Sequence, residues 1–206
     1  MRRQRWFATV YMFVVMMAFS SVVIGLARYT DERVEANQAL AFERAVVRVL
    51  PGVYEEGLSG LEIHRRFVEQ VDEPTEATAG AYSHKSNGVV QTYALPFEGQ
   101  GFWATIKGII GIKADRETVT AISFYEQNET PGLGARITEP EFRDQFEGKV
   151  LAADGKTLTF RRPGETLTPS QVHAVTGATQ TSVRLEKIVN DAVAQWREQL
   201  SGESRP

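Results

Sequence analysis

GFWATIKGIIGIK at residues 101–113 and TVTAISFY at 118–125 are two runs rich in branched and aromatic side chains. Ala114-Asp115-Arg116-Glu117 separates them, so the pair reads as a β-hairpin. Upstream, Val89–Leu95 reads as a strand that ends at Pro96, and Leu61–Val71 has enough apolar and branched residues for another. Asp72–Gly80 is an acidic stretch without periodicity, read as a solvated loop. Downstream, Glu139–Phe146 has Phe142 and Phe146 on one helical face, and Thr157–Arg161 reads as a strand. In Ser182–Leu200, the residues Leu185, Ile188, Val189, Ala192, Val193, Trp196 and Leu200 trace one apolar stripe opposite a charged face. Thr30–Leu50 reads as a further helix, capped by Thr30 or Asp31 and stopped at Pro51-Gly52. The expected class is α+β: one mixed domain of antiparallel strands with flanking helices.

Ahead of this domain, Trp6–Leu26 contains 21 residues without a charge. About 20 apolar residues span a bilayer core of about 30 Å, so the segment reads as an uncleaved membrane anchor. A signal peptide has a shorter apolar region and a small-x-small cleavage site, and neither is found. Arg2, Arg3 and Arg5 precede the span, which places residues 1–5 in the cytoplasm, 6–27 in the membrane and 28–206 on the extracytoplasmic side. The implied location is the inner (cytoplasmic) membrane, crossed once.

Charge and composition remove several classes. The chain of 206 residues has a net charge of −3, and without the three leading arginines it keeps 20 basic against 26 acidic residues. Such a domain is a poor nucleic-acid binder. The absence of cysteine excludes disulfides, thiolate metal sites and a cysteine nucleophile. His64, His84 and His173 lack metal-ligand spacing, and no nucleophile elbow accompanies Ser170 and His173. Trp103 with Phe102 either stacks on a bound ring or fills the core, and strand aromatics do the latter more often.

Two segments hold more small residues than packing requires. In Glu129-Thr130-Pro131-Gly132-Leu133-Gly134, Pro131 presets φ for a turn, Gly132 permits a positive φ, and Gly134 allows close backbone approach. Thr176-Gly177-Ala178-Thr179-Gln180-Thr181-Ser182 places four hydroxyls directly before the strongest helix. A helix start carries unpaired N–H groups and partial positive charge, which suits a phosphate. Thr181 or Ser182 is the expected N-cap, a role that leaves Thr176 and Thr179 unexplained.

Together the two segments resemble the signature motifs of the FMN-binding domain of the NqrC/RnfG type. That domain is found in the NqrC subunit of sodium-translocating NADH:quinone reductase and the RnfG subunit of the Rnf electron transport complex. The likeness runs from residue 101 to the C-terminal helix. It implies FMN joined by a phosphoester bond to Thr179, attached by a separate flavin transferase. Thr176, Gly177 and Ala178 would shape the loop, Thr181 and Ser182 would meet the phosphate, and Glu129, Thr130, Pro131, Gly132, Leu133 and Gly134 would border the flavin ring. The implied role is electron transport between membrane subunits of an Nqr- or Rnf-type ion-transporting translocase, with no catalytic residue of its own. One position departs from the pattern: His173 stands where the family has an acid, three residues before Thr176. The rival readings are a stand-alone extracytoplasmic flavin carrier and a noncatalytic anchored assembly module without flavin.

Overall fold

The computed structural model describes residues 2–152 and 157–202, with side chains from residue 6 onward. Met1, the head of the segment expected in the cytoplasm, lies outside the described residues. The chain forms two compact units, Met1–Ala39 and Leu40–Pro206. Helix α1 is Arg2–Arg48, without a break at the cap expected near Thr30. The Thr30 hydroxyl instead donates back to the carbonyls of Leu26 (3.1 Å) and Ala27 (3.0 Å), as a threonine inside a helix does. The apolar stretch of α1 is long and apolar enough to cross a membrane, with a window of mean hydropathy 2.3.

In the second unit, helix α2 (Gly60–Gln70) occupies the segment expected to be a strand. Ser59 caps it by accepting from the Glu62 N–H at 3.3 Å, and Ile63 is buried. The decisive signals are this Ser-x-x-Glu start and the i, i+4 spacing of Ile63 and Phe67, which override the branched-residue count. The acidic stretch after it contains a single 3₁₀ turn, Glu76–Thr78.

Strands β1 (Tyr82–Ser86), β2 (Val89–Gln100), β3 (Thr105–Lys113) and β4 (Val119–Glu126) form an antiparallel sheet in that order. β2 continues through Pro96, which faces Ile109 of β3. Pairing of β1 with β2 stops at Ala94, so β2 has one strand neighbour at Pro96 and the missing N–H is tolerated. β3 starts at Thr105 rather than at Gly101, which makes residues 101–104 a tight connection between β2 and β3.

Alternation along the strands divides the core. Tyr93, Leu95, Ile106, Ile110 and Ile112 pack with Leu185, Val189, Val193 and Trp196 of helix α4 (Thr179–Ser201). Ala94 and Ile109 face the other way, toward Ala45, Val46, Val49 and Leu50, with Phe42 and Phe67 beside them. Trp196 is fully buried, and its indole N–H donates to the Thr78 carbonyl at 2.9 Å.

The segment expected to be one short helix is α3 (Pro140–Arg143) continued by a 3₁₀ turn, Asp144–Phe146, with both phenylalanines buried. The strand expected at Thr157–Arg161 is β5 (Thr159–Arg161); it pairs in parallel with β6 (Gln171–His173), a partner not foreseen in the sequence. The whole is α+β, with helices on both faces of an antiparallel sheet.

Candidate functional site

The Pro131-Gly132 turn forms as its chemistry requires. The Leu133 N–H donates to the Thr130 carbonyl at 3.1 Å across the turn, and Gly132 takes φ +72°. Thr130, Pro131, Gly132 and Leu133 are exposed, while Gly134 is buried. A second turn of the same kind precedes α4: Ala178 N–H donates to the Val175 carbonyl at 3.1 Å, with Gly177 at φ +78°. Leu133 reaches toward Gly177, where a Cβ would stand 3.2 Å from its Cδ2. The two motifs, some 45 residues apart, therefore form one surface.

α4 begins at Thr179, not at the cap expected at Thr181 or Ser182. Ala178 occupies the N-cap position and is buried, so no side chain caps the helix. Among the described residues, the N–H groups of Thr179, Gln180 and Thr181 have no hydrogen-bond partner. The Thr179 side chain is exposed at the first helical position, and Thr176 is exposed in the turn before it.

Thr181 and Ser182 are buried and their hydroxyls serve the protein. Ser182 Oγ accepts from the Val175 N–H at 3.1 Å, tying the turn to the helix. The Thr181 hydroxyl donates to Glu129 Oε2 at 2.7 Å. Glu129 is only 4% exposed, and its Oε1 accepts from the Trp103 N–H at 3.0 Å. The backbone around this carboxylate has no room for side chains: a Cβ on Gly101 would lie 2.6 Å from Glu129 Oε1, and one on Gly134 would lie 2.6 Å from Thr181 Oγ1.

Phe102 and Trp103 contradict the expectation of core aromatics. They lie in the β2–β3 connection, 44% and 66% exposed, with ring centroids 4.9 Å apart. The available clue was Gly101 before them, a point where a strand commonly bends. Together with exposed Leu133 and Val183, they leave apolar surface around the Thr179 segment.

His173 is the last residue of β6 and half-buried. Its Nε2 lies 3.0 Å from the Glu165 carbonyl, to which it donates, and its backbone N–H donates to Gln145 Oε1 at 2.8 Å. The ring borders a cavity of about 430 Å³ that reaches Thr176 and is also lined by Arg136, Phe142 and Lys149. Arg136 pairs with Glu139 at 3.0 Å and Glu141 at 3.2 Å. The Glu139 hydrogen bond, more than Glu141, raises its pKa.

The unpartnered N–H groups at the start of α4 suit a phosphate, and the exposed Thr179 hydroxyl stands beside them. Residues 101–194 match the family model of the FMN-binding domain. Over 154 residues the chain is 30% identical to the NqrC subunit of the Na⁺-translocating NADH-quinone reductase of Neisseria meningitidis, covering 73% of this chain and 52% of the relative. Over 77 residues it is 47% identical to the corresponding subunit of Chlamydia pneumoniae, covering 37% of this chain and 24% of the relative. The chain thus spans about half or less of the length of these curated relatives. A crystal structure of the NqrC subunit of the Na⁺-translocating NADH-quinone reductase from Parabacteroides distasonis shares the fold. Its TM-score is 0.67 at 21% identity, covering 87% of this chain and 98% of that one. Motifs, fold and family match converge on residues 101–194, which are an FMN-binding domain of the type found in the NqrC subunits of Na⁺-translocating NADH-quinone reductases.

Proposed function

We propose that this protein is an anchored flavoprotein subunit that relays electrons through FMN held covalently at Thr179. The exposed hydroxyl of Thr179, at an uncapped helix start with unpartnered N–H groups, carries the reading. FMN exchanges one or two electrons and supplies the redox chemistry. The chain's own contribution is placement. Thr179 would hold the group through its Oγ1, and the free N–H groups of the first turn would receive its phosphate oxygens. Thr176, Gly177 and Ala178 shape the approach. Thr130, Pro131, Gly132 and Leu133 offer the exposed surface beside it, while Glu129, Gly134, Thr181 and Ser182 support it from below.

The attachment requires a flavin transferase as a maturation partner. Residues 6–27 anchor the chain in the inner membrane. The arginines before them place the domain on the extracytoplasmic side by the positive-inside rule. Electron donor and acceptor are then other membrane subunits of a sodium-translocating NADH:quinone reductase. That complex is favoured over the Rnf type because the Neisseria and Chlamydia relatives are NqrC subunits.

Thr179→Ala tests the attachment. It should abolish flavin that survives denaturation, whereas Thr176→Ala should retain it; denaturation-resistant flavin in Thr179→Ala contradicts the assignment.

A further inference from the structure

We infer that Glu129 is a positioning residue, a buried clip that holds the acceptor threonine's helix turn and the Phe102–Trp103 connection in one arrangement. It acts from beneath the surface rather than as a group bordering the flavin ring. The inference rests on the reading of Thr179 as the flavin acceptor.

Three separated segments meet at one carboxylate. Its Oε1 receives the backbone N–H of Trp103 at 3.0 Å, and its Oε2 receives the hydroxyl of Thr181 at 2.7 Å. Its own backbone N–H donates to Gln127 Oε1 at 2.8 Å, which fixes the start of the 129–134 loop. Gly101 and Gly134 close on the carboxylate from two sides, each within 3 Å for an added Cβ.

No cation pairs with Glu129 among the described residues. A buried carboxylate is costly unless hydrogen bonds and local dipoles compensate it. Here the compensation comes from two donors and from the positive start of α4, where Thr181 is the third helical residue. A carboxylate retained at that cost has a use in geometry. Thr179 is two residues from Thr181 on the same turn, so a shift of Thr181 moves the acceptor hydroxyl.

The test measures hydrogen exchange and flavin loading on the full chain in detergent. The variants are Glu129→Ala, Thr181→Val and Thr181→Ser. Glu129→Ala and Thr181→Val should each speed exchange about tenfold in both segments 101–104 and 176–182, the loss of about one hydrogen bond's protection. Thr181→Ser, which keeps the hydroxyl, should remain near the unmodified chain. The effect of Thr181→Val on the Trp103 amide is decisive, because Glu129 accepts a hydrogen bond from both residues and links them. An unchanged Trp103 amide in Thr181→Val overturns the clip.

Loading is then followed by intact mass with a flavin transferase and its flavin donor. Thr181→Val and Glu129→Ala should load at least several-fold more slowly, and Thr181→Ser should recover the rate. Ile63→Val, a core change remote from the site, supplies a control for lowered stability alone and should load normally. Loading at the unmodified rate despite altered exchange, or equal slowing in Ile63→Val, overturns the positioning role. If the unmodified chain takes no flavin while the exchange pattern holds, the covalent-flavin reading fails and the clip stands.

Discussion

Gly134→Ala concentrates the account of the site in one methyl group. An added Cβ would lie 2.6 Å from Thr181 Oγ1 and 2.9 Å from both Glu129 Cβ and Oε2. These atoms belong to buried groups already joined by a 2.7 Å hydrogen bond, so the methyl must displace one of them. Overpacking of this kind costs about 1–3 kcal/mol. Leaving a buried carboxylate oxygen without its donor adds about 1–3 kcal/mol. A total near 3–4 kcal/mol corresponds to a fall of about 10 °C in Tm for a domain of this size. Gly132→Ala is the matched comparison. Its φ of +72° disfavours alanine, but nothing lies within 4 Å of the new Cβ. That strain costs about 1–2 kcal/mol, a fall of about 3–6 °C. Thermal unfolding of the full chain in detergent, followed by near-ultraviolet circular dichroism, reads both through the loss of the packed environment of buried Trp196. A Tm for Gly134→Ala at or above that of Gly132→Ala would refute the close packing of the two motifs.

Other outcomes follow from single residues. His173→Asp supplies, at the edge of the cavity, the acid that the resemblance implies there, and should maintain or raise the flavin-loaded fraction by intact mass; a sharp fall would mean that attachment depends on the histidine. For Asp115, burial pushes the carboxyl up, but hydrogen bonds from the Thr118 hydroxyl and N–H and from the Glu117 N–H outweigh it and lower the pKa. A lowered folded-state pKa gives stability that is present above the unfolded pKa and lost as pH falls through the folded one. Asp115→Ala should therefore cost about 0.5–1 kcal/mol at neutral pH, discounted for the exposed turn. The gap in Tm should close in acid below the usual carboxylate range, and a gap that widens there contradicts the assignment.

The sequence made some of these features legible and hid others for physical reasons. The α4 stripe, the 105–126 hairpin and the Pro131-Gly132 turn were readable because periodicity and turn chemistry are local. Phe142 and Phe146 were readable for the same reason. The Leu61–Val71 segment was misread because branched residues outweighed the Ser59-x-x-Glu62 start and the i, i+4 pair. Pro96 suggested a strand end because its tolerance depends on where β1 stops pairing, which is set by tertiary structure. The parallel β5–β6 pair rests on only three residues in each strand, too few for a periodic signal.

At the site, both motifs were legible, whereas the exposure of Thr179 follows from where α4 begins. The role of Thr181 was not, since a hydroxyl near a helix start reads as a cap until its partner is known. That partner, Glu129, lies 52 residues away in sequence. Trp103 was misplaced because its exposure depends on β3 starting at Thr105, two residues beyond it.

The central claim is that Thr179 carries FMN. Intact-protein mass spectrometry after denaturation, on protein from its native host and followed by peptide mapping, tests it directly. The expected result is a mass increase of one FMN less one water, located on the peptide that contains Thr179. An unmodified mass, or a flavin mapped to another residue, would contradict it.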